Sequence, residues 1–487
     1  MTIEEACQRL AKRSFELDCH EIRFEREGKV PRVFGGPGNV WRDETGSLNF
    51  KVHLGQKDFS AAWQDTLGGS LPPGELIPDE FLFKISAKAY DGISWTGTGW
   101  PGGLSNLLAG AGTATGVLSE LKSDSSGFER PGLKEERVWV YLPYLLEFPK
   151  ITATHTQTET GGGARSDSTA WDHATVAIGR DKFTINPREG YTEIECIFGP
   201  GGIADDRHVK VLESLQFALG QLLHPCALLR AEKGIWSASL LSSDPAVCES
   251  WRQFPPINWE RFWDRAPVYE IAKAYYQAIT TRTKEARQDL ARGVFAIIRS
   301  AGVPVEASVL GVSVAIETLI DATFPELKRS NQEFIDEIER LRSNLANIKQ
   351  SDGSELKLSE EMLRRLNGSL DTMKAKGAAN AIRALLPRLN LEQRLYESWN
   401  TLRNKYAHGG AIPQSRFAEI YDHLRNVIYL GWSIVLASIE YAGPRTNYSL
   451  RGQPPVTAAG EIIKAPGVPI SNEPNGSQAS ETEEPKN

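Results

Sequence analysis

The sequence predicts an α+β protein: a β-rich N-terminal region with an antiparallel sheet and some helices, then an all-α helical bundle, then a disordered C-terminal tail. Three observations predict it. Ten of the twelve tryptophans precede residue 264, and only Trp399 and Trp432 follow it. Apolar residues alternate with period two before Pro255-Pro256 and recur at helical spacing after it. Beyond residue 446 the chain is rich in Pro, Gly, Asn, Ser and Glu, too polar to bury the surface that ordering requires. The regions are therefore residues 1–260, in one lobe or two, then 265–445, then a tail over 446–487.

In chain order, a helix is expected over residues 2–17. Asn39 to Arg42 and Leu48 to His53, separated by Glu44-Thr45-Gly46, read as a hairpin. Phe81, Phe83, Ile85 and Ala87 alternate with Leu82, Lys84, Ser86 and Lys88, as a half-buried strand should. The Gly-rich stretches 96–103 and 161–167 read as loops. Residues 138–141 and 194–198 are strands, and 174–178 with 183–185 form a hairpin through Gly179-Arg180-Asp181. A helix over 206–223, with Val209, Leu212, Leu215, Leu219 and Leu222 on one face, covers the sheet.

Helices follow over 268–279 and 284–298. Pro304 opens the next, which carries Val305, Val309, Val312, Ile316 and Leu319. Phe334, Ile338, Leu341, Leu345 and Ile348 form a stripe that should pack on a neighbour. Shorter helices span 361–373 and 378–386, ended by Lys376-Gly377 and by Pro387. The last two span 391–408 and 414–441, before Gly443-Pro444.

Composition narrows the function. A chain of 487 residues exceeds one hydrophobic core. A net charge of −7 argues against a general nucleic-acid-coating protein. Locally the balance reverses: between Glu361 and Gly410 nine Lys/Arg face four Asp/Glu. That excess has the sign a phosphate-bearing substrate needs, although each charge taken singly also reads as solvated surface. Five cysteines without a C-x-x-C pair read as reduced thiols of a cytoplasmic protein. The N-terminus lacks a secretory pattern, and no apolar stretch reaches bilayer-spanning length, so no membrane is expected.

The segment Trp399-Asn400-Thr401-Leu402-Arg403-Asn404-Lys405-Tyr406-Ala407-His408-Gly409-Gly410 concentrates chemistry. On a helical wheel Leu391, Leu395, Trp399, Leu402 and Tyr406 share one stripe about 80° wide. Arg403, Asn404, Ala407 and His408 take the far side, and Gly409 suits the left-handed residue that ends a helix. Arginine keeps its charge and offers a planar fork to phosphoryl oxygens. Histidine titrates near neutrality and can carry the proton of a 2′-hydroxyl or a leaving 5′-oxygen. Asn404 can orient that histidine or hold the phosphate. The same residues also read as a helix C-terminal cap. Arg416 and His423 match the same spacing one helix later and are read as coincidence.

Leu402-Arg403-Asn404-x-x-x-His408-Gly409, between an apolar helix and a long one, resembles the R-x4-6-H signature of the HEPN superfamily of small all-α domains. Within it, the chain most resembles the ApeA-like HEPN proteins of bacterial anti-phage defence. The resemblance rests on the helical region; for residues 1–260 it is one of layout alone. It implies a metal-independent endoribonuclease that cleaves host or phage RNA, tRNA among the candidates, once a phage component or small molecule triggers it. It implies no cofactor, and a homodimer through the helical domain that brings two histidines together. Arg403, Asn404 and His408 would be catalytic. Glu317, an acid between apolar residues on an earlier helix, stands where such proteins often place a polar group against the motif arginine, and Lys405 adds a cation. The alternative is a catalytically inert HEPN module for dimerisation or partner binding.

Other motifs carry less. Gly97 to Gly102 fits G-x-G-x-x-G without a βαβ context, and neither a P-loop nor a G-x-S-x-G elbow occurs. Trp171-Asp172-His173 and Cys19-His20 lack the company a metal needs.

Overall fold

The computed structural model describes residues 11, 15–26, 32–67, 82–106, 112–123, 136–159, 165–199, 203, 206–232, 235–243, 254–300, 302–345, 359–374, 377–405 and 413–464. It shows a β-rich N-terminal region that includes a six-stranded barrel, followed by a mostly helical region. No helix among the described residues is long and apolar enough to cross a membrane.

The barrel is formed by β1 (Phe15–Arg26), β2 (Arg32–Arg42), β3 (Leu48–Leu54), β4 (Phe83–Ala89), β5 (Ser94–Asn106) and β6 (Gly112–Ser123). Its order is β3-β2-β1-β4-β5-β6, and pairing of β3 with β6 closes it. The side-chain pattern explains the curvature. Phe15, Leu17 and Cys19 face inward at odd positions, a bulge intervenes, and Ile22 and Phe24 then face inward at even ones. The interior is aromatic: Phe24 stacks on Phe34 with ring centroids 4.9 Å apart, and Phe50 and Phe83 pack around them. Helix α1 (Gln56–Leu67) follows β3.

Two expectations fail here for stated reasons. Residues 15–17 belong to β1 rather than to a helix, because Phe15 and Leu17 serve its inward face; Ala11 is helical as expected, and residues 1–10 and 12–14 lie outside the described ones. Residues 96–103 are strand, not loop. A Cβ at Gly97 would stand 2.4 Å from the Glu120 carbonyl oxygen, and one at Gly99 2.8 Å from Leu118. These glycines permit close strand crossing.

From the end of β6 the sheet continues through β13 (Ile235–Leu241), β12 (Ala227–Glu232), β7 (Glu136–Leu142), β11 (Tyr191–Phe198), β10 (Asp181–Arg188) and β9 (Arg165–Ile178) to β8 (Thr152–Glu159), antiparallel throughout. Both expected hairpins are present, and both expected strands over 138–141 and 194–198. Of the expected loop over 161–167, residues 165–167 are strand and the rest lies outside the described residues. Helix α2 (Arg207–Leu219) covers the sheet and stops at Gly220, whose φ of 62° no side chain tolerates well. Its buried face holds Leu212, Leu215 and Leu219, but Val209 points to solvent, 38% exposed.

The helical region comprises α3 (Ala266–Thr281), α4 (Lys284–Ser300), α5 (Val305–Thr323), α6 (Gln332–Leu345), α7 (Glu360–Met373), α8 (Ala378–Arg388), α9 (Gln393–Lys405) and α10 (Phe417–Ser438). Pro387 lies inside the last turn of α8 rather than ending it. The stripe on α6 is only half used: Ile338 is buried, whereas Phe334 and Leu341 are 38% and 47% exposed and Ile348 lies outside the described residues. Its links to α7 are ionic: Glu339 and Arg342 of α6 pair with Asp371 of α7 and with Lys374 at its end.

One core runs from the second part of the sheet, through α2, into the helices. Polar links reinforce it. Asp181 accepts from Arg207 and from the Tyr276 hydroxyl at 2.8 Å, and Glu213 accepts from Tyr275 and from Arg287, both at 3.0 Å. Trp432 donates its indole N–H to the Phe254 carbonyl at 2.8 Å. The expected disorder over 446–487 is corrected for its first part. Residues 446–464 are ordered because β14 (Arg445–Thr446) pairs with β15 (Pro455–Val456), and Tyr448 is buried with its ring edge-on to Phe254. Residues 465–487 lie outside the described ones.

Candidate functional site

Helix α9 carries the motif as far as Lys405, with the apolar stripe turned inward. Leu395, Trp399 and Leu402 are buried, and the Trp399 indole N–H donates to the Ser313 carbonyl of α5 at 3.2 Å. That bond and that stripe fix the rotation of the helix. Arg403, one position past Leu402, is thereby brought against α5, and Asn404 and Lys405 are left exposed. Asn404 donates to the Asn400 side chain at 2.8 Å, one turn earlier. Tyr406, Ala407, His408, Gly409 and Gly410 lie outside the described residues, so the placement of His408 is not part of this geometry.

Glu317 sits between buried Ile316 and half-buried Thr318 on α5, and its carboxylate grips Arg403 through Nε and, at 3.4 Å, Nη2. Side-chain exposures are 29% for Glu317 and 39% for Arg403, so the pair lies at the surface and is only partly covered. Hydrogen bonding to Glu317, then its charge, raises the arginine's already high pKa. The guanidinium also lies 5.8 Å from the Trp399 ring centroid. The structure thus joins Arg403 and Glu317, places Asn404 and Lys405 on the same terminal turn, and leaves them open to solvent.

A second polar set lies at the start of α10, where the sequence reading took the Arg416 and His423 spacing for coincidence. Arg416 holds Glu419 with two bonds of 2.9 and 2.6 Å, and His423 Nε2 is 3.8 Å from the same carboxylate. Glu419 is kept below the usual carboxylate range by its hydrogen bond to Arg416, with His423 and Lys405 adding to it. On its other side His423 Nδ1 lies 3.0 Å from the buried Ser398 hydroxyl of α9, which also accepts from Asn426 at 2.9 Å. The signal was present in the spacing: Glu419 stands three residues after Arg416 and four before His423, the separations at which helical side chains meet.

Among the described residues no group of three or more His, Cys, Asp or Glu side chains could hold a metal ion. An open groove of about 610 Å³ lies elsewhere, between α6, α7 and α8, with Phe334, Glu337, Met373 and Asn380 in its lining and no motif residue. Gly97 to Gly99 lie in paired β strand, which is no place for a dinucleotide phosphate turn. Comparison of the chain with protein-family models, with curated proteins and with solved structures finds no match.

Proposed function

We propose that this protein is a metal-independent endoribonuclease of the HEPN type, acting as an anti-phage effector that cleaves host or phage RNA when triggered, with tRNA as the first substrate to test. The observation that carries the reading is the Glu317–Arg403 pair. It ties a guanidinium from the end of the motif helix to a neighbouring helix while leaving the arginine side chain 39% exposed. An arginine so held is pre-oriented toward a phosphodiester, and little side-chain entropy remains to be lost on binding. In this reading Arg403 stabilises the charged phosphorane, His408 moves the proton, and Asn404 orients the histidine or the phosphate. Lys405 contributes to the local field. Two protomers, joined through their helical regions, bring two histidines to one substrate as base and acid. The N-terminal region would sense the trigger or restrain the helices.

One observation favours a second reading, an inert HEPN module that binds a partner. The Glu317 carboxylate already neutralises Arg403, as a purely structural ion pair would.

The test is total tRNA incubated with chelator and purified protein, across candidate triggers. Arg403→Ala and His408→Ala should each lower cleavage by about a hundredfold or more. Products should carry 2′,3′-cyclic phosphate and 5′-hydroxyl ends. Glu317→Gln should reduce cleavage while changing stability by under about 0.5 kcal/mol, since the pair is exposed. Equal cleavage by His408→Ala and the parent, or none by either, would give the inert module the better claim.

A further inference from the structure

We infer that Arg383 of α8 is a second phosphate-binding arginine, so that the site at the end of α9 takes a polynucleotide strand gripped at two phosphates. The inference rests on the proposed reading of Arg403 and extends it to a phosphate beyond the scissile one.

Four side chains form a continuous run along one side of α9. The Arg383 guanidinium carbon lies 4.4 Å from the centroid of the Tyr396 ring. The rings of Tyr396 and Trp399 follow, with centroids 6.1 Å apart. The Trp399 ring in turn lies 5.8 Å from the Arg403 guanidinium carbon. Both rings are buried, at 5% and 2% exposed, so they support the arginines and offer no face on which a base could stack. Tyr396 and Arg403 are seven residues apart, which on a helix is about 20° of rotation and about 10 Å of rise. The two cations therefore stand on the same flank of α9, one near its first turn and one on its last.

Their company differs. Arg403 is paired with Glu317, which offsets its charge. Arg383 is exposed, and among the described residues it makes no hydrogen bond or ion pair. Other arginines of this region do: Arg365 with Glu361, Arg388 with Glu326 and Arg394 with Glu392. The tyrosine ring attracts the guanidinium without neutralising it, and the arginine keeps its donors for phosphoryl oxygens. Arg383 thus supplies charge that draws a polyanion along α9, while Arg403, already oriented by its carboxylate, meets the phosphodiester at the far end.

Binding of a short, fluorescent single-stranded RNA to the full-length His408→Ala chain in chelator tests this without cutting the strand. Each phosphate contact to a single strand adds about 0.7 to the slope of log affinity against log salt. Arg383→Gln should lower that slope by about 0.7 and weaken binding about fivefold at roughly 0.1 M salt, with the thermal midpoint unchanged. Arg383→Lys keeps the charge and should restore most of the slope, whereas a role confined to covering Tyr396 would leave the slope unchanged in both variants. Arg365→Gln removes the same charge from α7 and should keep the parent's slope. An unchanged slope in Arg383→Gln, or an equal loss in Arg365→Gln, overturns this inference and leaves the reading of Arg403 standing. A chain that binds no RNA even at low salt overturns both. A slope lowered as expected, in a protein whose parent cuts no RNA, keeps the binding site and removes the nuclease.

Discussion

The barrel and the rest of the sheet use the same strand chemistry, but they are held together differently. The barrel closes on itself: β3 pairs with β6, and most of the core within it comes from its own strands. The second part of the sheet does not close. Its apolar face is covered by α2 and by the helices that follow: the buried residues of β9 to β11 and most of those of β7 belong to the same cluster as those of α3 to α5 and α8 to α10, whereas β12 and β13 bury most of theirs in the barrel's cluster. The β-to-α change near residue 260 is therefore a change of secondary structure inside one core. The two cores meet along β6, β12 and β13, where buried Arg42 donates to the Cys226 carbonyl at 2.6 Å and the Ser242 hydroxyl bridges Leu48 and Leu118. For the proposed function this matters. A disturbance of the second sheet region reaches the motif helix through packed side chains, whereas one inside the barrel must cross the seam first.

The sharpest way to break this comparison is Trp432→Ala. Trp432 is 2% exposed on α10, packs edge-on to Phe217 of α2 with centroids 5.5 Å apart, and holds Phe254. Its loss should cost about 3–5 kcal/mol. Hydrogen exchange read by mass spectrometry should show protection falling together in α2, β9 to β11 and the helices, with β1 to β6 spared. Loss confined to α10 would mean that the shared core is not cooperative.

Acid offers a second, smaller perturbation of the same unit. Burial, and then the Arg230 charge, push His208 of α2 down from 6.5 to about 4. Its Nε2 lies 3.2 Å from an Arg230 guanidinium nitrogen, a bond that only a neutral imidazole can accept. The unfolded chain thus takes up the proton first. Stability from this group is complete above the ordinary histidine value and falls as the pH drops through about 6.5 toward 4, by roughly 3 kcal/mol in all. Denaturant melts of the parent and of His208→Gln should give stabilities whose slopes against pH differ by up to one proton across that window.

The smallest effect tests the barrel alone. A Cβ at Gly116 would lie 2.2 Å from the Trp100 carbonyl oxygen and 2.6 Å from the Phe50 ring. Gly116→Ala should cost about 1–3 kcal/mol and loosen exchange in β3, β5 and β6, with the helices unchanged. Equal loosening of α3 to α10 would show that the seam couples the cores more tightly than their separate packing implies.

Several of these features were legible in advance. The hairpins over 39–53 and 174–185 announced themselves by alternation and by turn residues such as Gly46 and Gly179, at φ of 85° and 61°. The apolar stripe of α9 was readable because a helix of that composition has one burial solution. The strand through Gly97 and Gly99 was not. Glycine reads as a breaker locally, and what favours it here is the approach of Glu120 and Leu118 from β6. Phe334 and Leu341 promised a buried face that α7 only partly supplies, since periodicity names a face without naming what covers it.

At the candidate site, the sequence alone determined that Arg403 and Asn404 leave the apolar side of their helix, because helical geometry follows from local spacing. Only the tertiary structure decided that Glu317, 86 residues earlier, meets Arg403, and that Ser398 meets His423 across two helices. Local period and turn chemistry act over a few residues and are written in the chain. The meeting of distant side chains depends on how whole helices and strands rotate and pack, and that is settled by the burial of many other residues at once.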